Sequence, residues 1–152
     1  MTIMRRIQRD SGFEDIVRHF SSGEQPLFKE IWRLLLFSSS LGYHLGEKRP
    51  ISKSDTGKAM PETYFSNCPA WPGFLYLMGI CETESADILK SGEESEELLI
   101  RAFEEYATHG LTVLSEASNR FDDPLDAVLD LIMANVNQQE SATKPIDFGD
   151  LI

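Results

Sequence analysis

Apolar residues along this chain recur at helical spacing, and no stretch keeps the two-residue alternation of a strand for long. Phe13, Ile16, Val17 and Phe20 share one face of a short amphipathic helix that stops near Ser21-Ser22-Gly23. Pro26 stands where a second helix can begin, because its missing N–H would be unpaired there anyway. From Phe28 onward, Ile31, Trp32, Leu34, Leu35, Leu36 and Phe37 cover more than one stripe, which places this helix at the centre of the core. Ser38, Ser39 and Ser40 in its middle suit a close helix–helix contact, and Gly46 provides the stop. Residues 47–60 are polar and read as a long basic loop, a place to look for function.

A helical turn over Glu62–Phe65 is expected next, then an extended or turning stretch Asn67-Cys68-Pro69-Ala70-Trp71-Pro72-Gly73. Pro72 opens a buried apolar helix over Gly73–Ile80, and Ser85–Lys90 forms a small turn-helix. Leu98, Leu99, Ala102, Phe103, Tyr106 and Ala107 then mark a long amphipathic helix from about Glu93, with Gly110 a point of kinking or ending. Asp123 as N-cap and Pro124 in the first turn open a last helix whose apolar face is Leu125, Val128, Leu129 and Ile132. The reading is all-α: one compact bundle of about five to seven helices over residues 1–136. A polar tail over 137–152 is expected to be flexible, with Ile146, Phe148, Leu151 and Ile152 able to dock as a short peptide.

Composition narrows the function classes. The chain has 152 residues, enough to form one domain of ordinary size without help from a metal or disulfide. Its two cysteines, Cys68 and Cys81, form no C-x-x-C pair, and His19, His44 and His109 show no zinc-ligand spacing. Arg5, Arg6 and Arg9 near the N-terminus are followed by no apolar stretch of signal-peptide type, so a cytoplasmic location is expected, with no membrane partner. The formal charge of −11 opposes electrostatic binding of nucleic acid by the whole molecule. That charge is divided: residues 1–58 hold 10 Lys and Arg against 7 Asp and Glu, whereas residues 59–152 hold 4 against 18.

Candidate chemistry is sparse. His44 and His109 are placed near helix ends, where a cation meets the negative end of the dipole. Ser38–Ser40 lack the G-x-S-x-G turn of a nucleophile, and Ser54-Asp55-Thr56-Gly57-Lys58 lacks the spacing of a phosphate loop. Neither catalytic residues nor cofactor or metal ligands are assigned. Lys48, Arg49, Lys53 and Lys58 are the candidate contacts to DNA phosphates, with ion pairs to Glu47 and Asp55 the structural alternative. Trp32 and Trp71 read as core residues, but Trp71, framed by two prolines, is also the candidate anchor for a protein partner. Glu93, Glu94 and Glu97 accompany it as an acidic docking face, although a glutamate-rich helix is more often simply a solvated one.

Three stretches together resemble a known family: Phe28–Phe37 leading to Leu41-Gly42-Tyr43 and Gly46-Glu47-Lys48-Arg49-Pro50; Asn67–Gly73; and Phe103–Ala107 followed by Gly110-Leu111. They are similar to a small bacterial family of DNA phosphorothioation (Dnd) system-associated proteins, over roughly Gly12 to Leu114. The resemblance implies a role in a defence system that marks host DNA with backbone sulfur and restricts unmarked DNA. It further implies an accessory subunit beside a larger nuclease, ATPase or modification protein, with DNA reached through that partner. The matched stretches contain no catalytic constellation to transfer. The first expectation is therefore a non-enzymatic adaptor; the alternatives are a DNA-contacting module using loop 47–60 and an acidic DNA mimic that inhibits a nuclease.

Overall fold

The computed structural model describes residues 4–90 and 92–142, apart from the side chains of 138–142. The described residues form five α-helices: α1 (Glu14–Ser21), α2 (Ile31–Leu45), α3 (Trp71–Thr83), α4 (Glu93–Ser118) and α5 (Pro124–Ala142). Short 3-10 segments lie at Ser11–Phe13, Thr56–Lys58, Glu62–Asn67 and Ala86–Leu89. Among these residues there is no strand, only two isolated antiparallel bridges, Ile7 with Met60 and Asp10 with Ser54. The all-α expectation holds.

The most extensive contact in the fold joins α2 to α4, and small residues make it possible. Ser38, Ser39 and Gly42 on α2 face Ala107 and Gly110 on α4, and all five are buried. The Ser39 hydroxyl donates across the seam to the Phe103 carbonyl at 3.1 Å, so a polar group enters the core with its partner supplied. Around the seam, Phe20, Leu34, Leu35, Phe65, Trp71, Leu75, Leu99, Phe103, Leu111 and Leu114 are fully buried. Each such side chain contributes roughly 1.5–3 kcal/mol of burial free energy before ordering costs are set against it.

Several boundaries differ from expectation, each for a local reason. The second helix starts at Ile31, not near Pro26. Before it, the chain turns back on α1: the Phe28 N–H donates to the Phe20 carbonyl at 3.0 Å, and Leu27 and Phe28 pack on the core. Gly46 ends α2 at φ 73°, the left-handed conformation expected of a stop. α3 begins two residues before Gly73, with Trp71 in its first turn, and it is buried along one side only, since Leu77 is exposed. α4 runs unbroken through Gly110, so His109 lies within the helix rather than at its end, its Nε2 3.4 Å from the Glu47 carboxylate. α5 continues past residue 137 to Ala142, and the rest of the expected tail, with Ile146, Phe148, Leu151 and Ile152, lies outside the described residues.

Candidate partner-binding surface

The basic loop is not a free positive patch. Its backbone is laced to the N-terminal segment: Ile7 and Met60 exchange both N–H···O bonds at 2.8 Å, and the Ser11 N–H donates to the Lys53 carbonyl at 2.8 Å. One carboxylate oxygen of Asp10 accepts from the Ser52 N–H and hydroxyl at 2.9 and 3.0 Å, and these bonds hold its pKa below the usual value against the opposing effect of burial. Two of the four candidate cations are neutralised in place. Lys48 pairs with Glu82, whose other oxygen accepts from the Tyr106 hydroxyl, and the Lys58 ammonium lies 3.4 Å from Glu14. Arg49 lies along α4, its guanidinium donating to the Thr112 hydroxyl at 3.2 Å. Lys53 is exposed.

The expected partner anchor is corrected more sharply. Trp71 is fully buried, stacked on Phe65 with ring centroids 4.5 Å apart and edge-on to Phe103 at 5.1 Å. Its indole N–H donates to Glu62 at 2.6 Å, so even its polar end is satisfied internally. The flanking prolines start a helix; they do not expose a loop. Of the acidic trio, Glu93 and Glu94 are exposed, but Glu97 is engaged by Arg5 and by Arg101.

Arg5 belongs to an N-terminal strap over α4 that sequence reading missed. Its guanidinium reaches Glu104 at 3.0 Å, and the Gln8 N–H donates to the same carboxylate at 2.6 Å. Glu104 is nearly inaccessible, and burial raises its pKa by more than Arg5 and Gln8 lower it. A polar cleft of about 290 Å³ opens beside it, lined in part by Arg101, Glu105 and Ser54. Both Glu104 oxygens are already occupied by the strap, and the neighbouring Glu105 carboxylate stands in the cleft with no second acid, base or nucleophile among the described residues paired to it. Among the described residues, no group of three or more His, Cys, Asp and Glu side chains is arranged to hold a metal ion.

What remains open is α5. Asp123 starts the helix as expected, its carboxylate accepting from the Leu125 N–H at 2.8 Å and more distantly from Asp126. The apolar face splits in two. Ala127, Val128 and Leu131 turn into the core, whereas Leu125, Leu129, Ile132, Met133 and Val136 are 43–58% exposed. The outer five fall at i, i+4, i+7, i+8 and i+11, a straight stripe about 16 Å long at 1.5 Å per residue. The sequence reading grouped Leu125, Val128, Leu129 and Ile132 as a single apolar face, of which only Val128 is buried. The signal that would have corrected it is breadth: with Leu131, Met133 and Val136 counted, apolar positions span more of the helix than one core can cover. Between α2 and α5 the stripe borders a groove of about 210 Å³, lined by Phe37, Leu41 and His44 on one side and Leu131, Ile132 and Val136 on the other. Contiguous exposed apolar surface of this kind marks interaction sites in soluble proteins. Among the described residues, no helix is long and apolar enough to cross a membrane.

Comparison with known proteins agrees with the resemblance carried by the Phe28–Phe37, Asn67–Gly73 and Phe103–Ala107 stretches. No curated protein and no solved structure matches the chain. The model of one protein family, DNA sulphur modification system-associated protein 4, matches residues 6–150. The match takes in the strap from Arg6 onward, the α2–α4 seam and α5, and the chain belongs to that family.

Proposed function

We propose that this protein is a non-enzymatic accessory subunit of a bacterial DNA sulphur modification and restriction system, holding a larger protein of that system on the outer face of α5. The observation that carries the reading is the exposed stripe Leu125, Leu129, Ile132, Met133 and Val136, which a monomer gains nothing by leaving in water. The ionisable groups support it from the other side. Asp10, Glu14, Glu82, Glu97 and Glu104 are committed to hydrogen bonds or ion pairs that fasten segments of the fold together. DNA is then reached through the partner, and the protein contributes assembly, not chemistry.

The test is co-expression of the full chain with each other protein of its sulphur modification system, followed by affinity purification and gel filtration at about 0.15 M salt. A complex of fixed stoichiometry with one of them is expected. Separate elution from all of them would overturn the proposal. So would magnesium-dependent nicking of plasmid DNA by the purified chain alone.

A further inference from the structure

Resting on that reading, we infer that the α5 face receives an amphipathic helix of the partner with Lys or Arg along one edge. The shape argues for a helix: a straight stripe beside a groove that follows the same helix fits the helix-in-groove mode, where apolar residues at three- and four-residue spacing supply the anchors. The charge argues for its chemistry. Residues 124–142 contain no Lys, Arg or His. Asp126 and Asp130 follow the stripe along one side, at about a quarter to a third of a turn from it by helical geometry, and Asp122 and Asp123 stand at its N-terminal end. Asp123 caps the helix and Arg120 meets Asp130 only at 3.5 Å in an exposed pair, which leaves the Asp122 and Asp126 carboxylates, and Asp130 in part, for an incoming cation. The opposite bank, formed by Phe37, Ser40, Leu41 and His44, has no carboxylate. Cations are therefore called for on one edge only, which fixes how the incoming helix is rolled about its axis.

A second copy of this chain fits less well. It brings another −11 of charge, and a two-fold arrangement with α5 antiparallel to its mate sets the two aspartate edges against each other. Duplex DNA meets the same acidic edge and finds no cationic side chain on α5 to neutralise a phosphate.

The experiment uses the full chain and the complex described above. Leu129→Glu with Met133→Glu is expected to weaken the complex at least about tenfold, and Asp126→Lys with Asp130→Lys by a similar factor. These side chains are exposed, and unchanged circular dichroism verifies that each variant is folded. Hydrogen exchange should show protection at residues 125–136 and on a partner helix edged with Lys or Arg. Wild-type affinity should fall as salt rises from about 0.05 to 0.3 M. A complex indifferent to both variants, or one whose protected partner segment is acidic or non-helical, overturns the inference and leaves the accessory role standing. Loss of binding in the apolar variant alone overturns the basic edge. Concentration-dependent self-association that protects 125–136 makes a second copy the occupant, and absence of any complex removes both the inference and the role.

Discussion

A methyl group on Gly110 would stand 1.9 Å from the Ser38 carbonyl oxygen, and one on Gly42 would stand 2.1 Å from that of Tyr106. Both obstacles are backbone, so no rotamer change relieves them; α2 and α4 must separate, and the Ser39–Phe103 bond stretches with them. Alanine has the better intrinsic helix propensity by about 1 kcal/mol, but overpacking at a closed seam costs typically about 1–3 kcal/mol and sometimes more. Gly110→Ala should therefore destabilise the protein by about 1–2 kcal/mol or more in urea unfolding. Gly73→Ala, where nothing lies within 4 Å of the added atom, should be neutral or stabilising. Equal midpoints for the two variants would contradict this account of the seam. The same residue-level logic explains why Trp71 belongs inside: a large ring whose single donor finds Glu62 has no reason to remain at the surface.

At the scale of elements, the N-terminal strap depends on a carboxylate that burial penalises. Because burial raises the pKa of folded Glu104, its charge is a cost at high pH, and that cost is relieved as pH falls and the group takes a proton. Arg5 offsets the cost while Glu104 is ionised. Arg5→Met should thus lower stability by about 1–2 kcal/mol near pH 8, the figure discounted for the partial exposure of Arg5. The deficit should narrow toward pH 5, and a constant deficit in urea midpoints across that range would refute the assignment. Below about pH 4 both proteins should weaken, since Asp10, Glu14, Glu82 and Glu97 have lowered pKa values and lose stabilising charge as they protonate. Which elements were legible from sequence follows the range of the interactions involved. The body of α2 with its Gly46 stop and the Asp123–Pro124 start of α5 are set by local periodicity and capping and stand where expected, whereas α2 begins at Ile31 because Leu27 and Phe28 fold back on the core instead of extending the helix. The strap and its lacing to loop 47–60 depend on bonds between residues tens of positions apart, which no local pattern encodes. On α5, periodicity located the helix but not the side facing the core, because apolar residues lie on both.

At the scale of the whole molecule, the division of charge along the sequence does not survive folding. Arg5 crosses to Glu97 and Glu104, Lys48 to Glu82, and Arg9 and Lys58 share Glu14. Cations of the first half are thus spent mainly on tying the chain together, and the excess of carboxylates in the second half sets the sign of the field beyond it. Non-specific duplex binding requires several phosphates to be neutralised at once, each contact adding to the salt dependence. At about 0.1 M salt the screening length is about 10 Å, so cations left on the loop, such as Lys53, act only at close range, where the molecule's net −11 opposes approach. Fluorescence anisotropy with a labelled duplex should therefore show no binding by the isolated chain at micromolar concentration. Replacing Lys48, Arg49, Lys53 and Lys58 together by Ala should leave that result unchanged while lowering the urea midpoint, because the pairs of Lys48 with Glu82 and Lys58 with Glu14 are lost. Affinity that appears at low salt, falls steeply as salt rises and disappears in the fourfold variant would instead restore the loop as a DNA contact. It would also mean that Lys48, Arg49 and Lys58 leave their intramolecular partners to reach the phosphates alongside Lys53.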